Sequence, residues 1–235
     1  MANVYDFSSD NVNVFLLVID SSGSMGENEK QVRQGLKRYK EEFEDFYGAD
    51  SIVVAVSTFS DGYYEGEFRK VRELDTSYST DGATALYYSI VRASNQLIEY
   101  VKEVTKRTNV FPRSTLIFWS DGEPCEDPGN PKKAKEAIAK LNELGCTTVF
   151  IACGKAITSK FGDKIGFQST IDVVDRSSIA EFIGEELSRS SMEQSKSVKA
   201  LGSNFFSKAK GSNSSSAYSN KTEQALEDED WFDQI

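Results

Sequence analysis

The sequence predicts a doubly wound α/β domain, a mostly parallel central sheet with one antiparallel edge and helices on both faces. Two observations carry this. Five short apolar runs, at 12–19, 51–59, 114–119, 147–153 and 170–174, are rich in Val, Ile and Phe, as strands covered on both faces must be. Between most of them lie segments whose apolar residues recur every three or four positions, so strand and helix alternate and right-handed crossovers set helices on both sides.

Taken in order, the first run opens the segment VNVFLLVIDSSGSMG (12–26), which is followed by Val32, Leu36, Tyr39, Phe43 and Phe46 at helical spacing, up to Gly48. After the second run, SDGYYEGEFRKVREL breaks the alternation. Asp61-Gly62 reads as a turn, and Phe68 and Val71 as part of a short antiparallel edge strand. Leu86, Ile90, Leu97, Val101 and Val104 form a second amphipathic stripe, and Ala134, Ile138, Leu141 and Leu144 a third that stops at Gly145. A closing helix is expected from Ser178, with Glu181 at capping-box spacing and Ile179, Phe182, Ile183 and Leu187 turned inward. The domain is expected over residues 10–190. Residues 191–222 are rich in Ser, Asn and Lys and read as a flexible linker, and 223–235, EQALEDEDWFDQI, as an acidic, aromatic tail.

Composition excludes several classes of function. With 235 residues, 39% of them hydrophobic, the chain can bury one sizeable core. A net charge of −10 opposes non-specific binding to nucleic acid or to an anionic membrane, and favours a basic partner or a bound cation. No run approaches the ~18 apolar residues of a membrane span, and MANVYDFSSDN lacks the basic and apolar regions of a signal peptide, so a soluble, cytoplasmic protein is expected. Cys125, Cys146 and Cys153 show no C-x-x-C spacing and read as reduced thiols. There is no histidine, which removes Ser-His-Asp and Cys-His nucleophiles and every His-ligated metal. Any metal must be held by oxygen.

Oxygen ligands do gather at one place in the expected fold. In an open α/β sheet the ligand site lies at the carboxyl ends of the strands, where strand order reverses. Asp20, Ser22 and Ser24 end the first strand, Thr84 precedes a helix in STDGATAL, and Asp121 ends a strand in LIFWSDGEP. Capping and turn formation would also account for single members of this set. Two carboxylates and three hydroxyls together suit a hard divalent cation such as magnesium. Around them, Asp81 is expected to shape the turn before Thr84, and Gly23 and Gly82 read equally as turn glycines or as room for an ion. Glu123, Glu126 and Asp127 read as solvated loop carboxylates, and Tyr63 and Tyr64 as contact aromatics or hairpin packing.

The series Asp20-x-Ser22-x-Ser24, Thr84, Asp121 resembles the metal-ion-dependent adhesion site of von Willebrand factor A domains, in the family's order and across essentially the whole predicted domain. The D-G-A-T-A-L and S-D-G-E-P segments are similar to those of the stand-alone A-domain proteins of bacterial tellurite-resistance operons. The resemblance implies magnesium, with manganese or calcium as alternatives. Ser22 and Ser24 would bind it directly and Asp20 through water, while Thr84 and Asp121 exchange direct and water-mediated contact. A Glu or Asp of a partner protein would fill the sixth position. It further implies an interaction module with a regulatory, stress-response or assembly role, not an enzyme. The chain's own tail, with Glu227, Asp228, Glu229, Asp230 and Asp233 around Trp231 and Phe232, is a second candidate ligand. The rival class is a magnesium-dependent phosphohydrolase of haloacid-dehalogenase-like type, but Ser22 stands where such enzymes need an acid-base aspartate. Neither a Walker lysine nor G-x-G-x-x-G is present.

Overall fold

A strand with an unbroken apolar run belongs in the middle of a sheet, and NVFLLVID, apolar from Val14 to Ile19, does: β1 (Asn13–Asp20) is buried along its whole length. The computed structural model describes residues 12–196 except 123, 126, 154–156, 158 and 174–177. Within it, β1 is flanked in parallel by β2 (Ile52–Phe59) and β5 (Arg113–Ser120), and β6 (Thr147–Cys153) and β7 (Ser169–Val173) continue beyond β5. The antiparallel edge is divided into two short strands, β3 (Tyr63–Tyr64) and β4 (Arg69–Lys70), both paired with β2. Between them Gly66 presses so close that a Cβ there would stand 1.9 Å from the Val56 carbonyl oxygen. The sheet order is β3-β2-β1-β5-β6-β7.

The alternation of β1 divides the core. Val14, Leu16 and Val18 face a cluster roofed by α2 (Leu86–Thr108), α3 (Pro131–Glu143) and α4 (Ser159–Ile165). Phe15, Leu17 and Ile19 face the opposite cluster under α1 (Glu29–Glu41) and the closing helix. That helix runs as α5 (Ile179–Glu181), a π-helical Phe182–Leu187 and α6 (Ser188–Lys196). It crosses α1 at very short range. A Cβ on Gly35 would lie 2.7 Å from Ile183 Cβ, and one on Gly184 would lie 2.6 Å from Arg38 Cβ.

Several expectations need correction. The α1 stripe runs to Phe46 in sequence, yet the helix stops at Glu41; tight turns carry buried Phe43 onward, each bonded three residues back. α4 is absent from the sequence reading because its two turns offer only Phe161 and Ile165 as an apolar pair. Ser178 makes no side-chain cap hydrogen bond; its backbone (φ −88, ψ 0) is not in the extended region that a capping residue adopts. The closing helix also passes residue 190, where the domain was expected to end. Ser191 is buried and accepts from the Tyr39 hydroxyl at 3.0 Å, so the last turns are anchored by a contact that sequence does not reveal. Residues 197–222 of the expected linker and the tail at 223–235 lie outside the described residues. No helix among the described residues is long and apolar enough to cross a membrane.

Candidate metal centre

The sheet order reverses beside β1, with β2 on one side and β5 on the other, and the oxygen ligands collect at the carboxyl edge of that point. The β1–β5 register pairs Ile19 with Trp119, so the next step sets Asp20 beside Ser120. Asp20 is fully buried, and both carboxylate oxygens are engaged. Oδ1 accepts the Ser22 N–H at 2.9 Å and Oδ2 accepts the Ser120 hydroxyl at 2.6 Å. Its carbonyl oxygen accepts from the Tyr78 hydroxyl. Burial pushes the Asp20 carboxyl up to about 6; the Ser120 and Ser22 hydrogen bonds hold it down in part, and nearby Asp121 adds to the rise. A buried carboxylate in that condition is stabilised by a cation nearby.

A 3-10 turn, Gly23–Asn28, follows the strand, and Ser22 occupies its N-cap position without a side-chain cap hydrogen bond. The Ser22 hydroxyl is thus not spent on capping. It lies 3.1 Å from Ser24 Oγ, and the Ser24 hydroxyl donates to Asp121 Oδ1 at 2.7 Å. Ser22 and Asp121 are buried, Ser24 is exposed, and the cluster opens to solvent through Ser24.

Backbone hydrogen bonds staple the Thr84 loop to both neighbours. Asp81 N–H donates to Ser21 O at 2.8 Å and Gly23 N–H to Gly82 O at 3.0 Å, while Thr84 and Cys125 exchange N–H and carbonyl at 3.2 and 3.0 Å. Gly82 has φ +82, a backbone that calls for glycine, and its N–H is bonded to Asp81 Oδ1 at 2.8 Å, as the turn reading of Asp81 expects. Thr84 is buried and faces the same space as Ser24: a Cβ on Gly122 would stand 3.7 Å from Thr84 Oγ1 and 3.8 Å from Ser24 Oγ.

These donors fit a hard divalent cation. Adjacent oxygens of an octahedron with ~2.0–2.1 Å bonds are about 2.9 Å apart, and the 3.1 and 2.7 Å spacings bracket that edge. The set is hydroxyl-rich: no group of three His, Cys, Asp or Glu among the described residues could hold a metal. All five expected residues therefore converge, with Asp20 behind the others, and its oxygens are already committed to Ser22 and Ser120. Sequence reasoning passed over Ser120, Tyr78 and Gly122, which fix Asp20 and keep the space open. Only their placement beside Asp20 or Asp121 in the folded sheet reveals them.

Asp127 is not a solvated loop carboxylate. It accepts the N–H groups of Tyr87 and Tyr88, the latter at 3.2 Å, and thereby caps α2 from forty residues away. Glu123 and Glu126 lie outside the described residues. Tyr63 is tied to Gln96 by its hydroxyl and belongs to the hairpin packing, whereas Tyr64 is exposed and donates to Asp61 at 2.9 Å. None of the three cysteines forms a disulfide; Cys125 is exposed and the other two are buried.

The model of the von Willebrand factor type A domain matches residues 15–184, which hold every ligand of this cluster. The chain belongs to the von Willebrand factor type A family. Solved structures agree in fold. The pilus adhesin SpaC from Lactobacillus rhamnosus GG superposes with a TM-score of 0.64 at 12% identity, over 78% of this chain and 31% of that one. A von Willebrand factor type A protein from Catenulispora acidiphila gives 0.56 at 17%, over 77% and 43%. The manganese-loaded TRAP protein of Plasmodium vivax gives 0.51 at 18%, over 74% and 72%. This vWA chain thus spans about a third of the length of SpaC. No curated protein matches it.

Proposed function

We propose that this vWA domain is a metal-dependent protein-binding module whose ion is held by Ser22, Ser24 and Asp121 and takes a carboxylate from a partner. The observation that carries the reading is the octahedral-edge spacing of those three side-chain oxygens. The bound ion would supply a Lewis-acidic position open to solvent. With one close carboxylate among its protein ligands, it keeps enough positive charge to attract an incoming Glu or Asp. Asp20 neutralises the ion from behind and holds Ser22 by its N–H. Thr84, facing the same space from a loop stapled to Cys125, is the residue that exchanges contact with Asp121 as the partner arrives.

Magnesium is the proposed ion, with manganese or calcium as substitutes. The manganese in the Plasmodium vivax protein of similar fold is in keeping with such a site. A non-enzymatic role is favoured by Asp20, the residue that a phosphohydrolase would use as nucleophile: it is fully buried and both its oxygens are taken. The similarity of the D-G-A-T-A-L and S-D-G-E-P segments to tellurite-resistance A-domain proteins supports a regulatory or stress-response role in the cytoplasm. Calorimetry of the full chain tests the core of this. Wild type should bind one magnesium or manganese ion, and Ser22→Ala and Asp121→Ala should not. Equal binding in all three would overturn the assignment, and magnesium-dependent turnover of a phosphate ester would overturn the non-enzymatic role.

A further inference from the structure

Among the described residues, charge is divided unevenly around the mouth of the site. On the β1–β2 side the exposed Glu27, Asp61 and Asp81 are acidic. On the β5–β6 side, the first turns of α3 and α4 carry exposed Lys132, Lys133 and Lys160, and neither turn has an acidic residue. Lysines there add to the positive end of the α3 dipole, the reverse of what helix stability alone favours. A local rule broken in this way points to a role outside the helix.

The geometry of the closing helix supplies the second half. It begins beyond the carboxyl end of β7, on the side of the metal centre, and ends at Lys196, whose ammonium lies 5.2 Å from the Phe46 ring centroid at the opposite end. Eighteen residues, 179–196, at about 1.5 Å each separate the two ends by about 27 Å. Residues 197–226 then connect Lys196 to Glu227, Asp228, Glu229, Asp230 and Asp233 around Trp231 and Phe232. A flexible linker of thirty residues would have an r.m.s. span of about 30 Å, the length that returns the run to the metal centre with an effective concentration in the millimolar range.

We propose that residues 227–233 are a ligand of the chain's own metal centre, one carboxylate on the ion and the others along Lys132, Lys133 and Lys160. This rests on the metal-dependent reading above. Glu27, Asp61 and Asp81 repel the run from the β1–β2 side, so it lies over α3 and α4. An external partner must displace it, and the partner's apparent affinity falls by the fraction of sites the run occupies.

The full chain carries its own reporters, because its two tryptophans are Trp119, two residues before Asp121, and Trp231 in the run. Manganese is added to the 15N-labelled chain and the two indole signals are followed by NMR, with magnesium as the diamagnetic reference. The proposal expects both signals to broaden at every protein concentration. In the triple variant Lys132→Glu, Lys133→Glu, Lys160→Glu, Trp119 should stay broadened while Trp231 sharpens. A broadened Trp119 with an unaffected Trp231 overturns the proposal and leaves the metal reading intact, whereas no broadening of either removes both. Broadening of Trp231 that disappears on dilution overturns it too, since a second copy would then supply the run.

Discussion

Ser120 donates to Asp20 Oδ2 at 2.6 Å across one hundred residues of sequence, and this hydrogen bond ties β1 to β5 behind the candidate metal centre. It also fixes the carboxylate whose other oxygen holds Ser22. Ser120 touches no proposed ligand atom of the ion and acts through Asp20. Partners of that kind typically govern ten- to a hundredfold in metal affinity. Ser120→Ala should therefore weaken magnesium binding by roughly 10- to 100-fold, and Ser120→Thr, which keeps the hydroxyl, should restore most of it. Titration calorimetry on the two variants checks this; equal losses in both would mean the hydroxyl is not what matters.

Asp127 predicts a different pattern. Its carboxylate takes two N–H groups at the start of α2 and a third from Gly129 at 2.7 Å, none of them from the five candidate site residues. Asp127→Ala should lower stability by about 1–2 kcal/mol, the usual cost of a lost cap, read as a shifted urea midpoint. Its magnesium affinity should stay near wild type if stability and binding are as separate as this geometry indicates.

The contrast between Asp127 and the five candidate site residues shows what sequence carries and what it withholds. The sheet, its mostly parallel arrangement and four of the helices follow from apolar patterning, since each run of Val, Ile and Phe can be satisfied only by burial on both faces. That these five residues come together was legible because three of them share one short motif and each lies at a strand's end or a helix's start. Asp127, Ser120 and Tyr78 act through partners 39 to 100 residues away, and no local pattern encodes such pairs. The α4 turns and the end of α1 escaped for another reason. Their form depends on packing, as with Gly162, where a Cβ would stand 2.7 Å from Phe150 Cβ.

Packing also makes the α1 crossing sensitive. The Cβ added by Gly184→Ala would meet Arg38 Cβ at 2.6 Å, part of the helix that roofs one half of the core. Overpacking of this kind costs about 1–3 kcal/mol, above any gain in helix propensity. Thermal unfolding should show the loss. An unchanged or raised melting temperature would mean that the π-helical segment moves aside at little cost.

Asp20 gives the domain a pH dependence whose sign can be stated. Its folded-state pKa of about 6 lies above the ordinary 3.8, so the folded domain favours the neutral carboxyl. The stability it contributes is full below about pH 4 and is lost as pH rises through about 6, a change of about 3 kcal/mol for two units in a buried group. Asp61 and Asp75 have lowered values and tilt the curve the other way, but both are exposed and contribute little. Comparison with Asp20→Asn isolates the buried group. In EDTA, the variant should gain on wild type by about 3 kcal/mol between pH 4 and pH 7. Magnesium should reverse the order near pH 7, because the ion stabilises the ionised carboxylate that burial penalises and adds its own binding energy to the folded state. Urea unfolding at pH 4, 5, 6 and 7, with and without magnesium, reads both effects; parallel curves for the two proteins in EDTA would mean that Asp20 is not the group responsible.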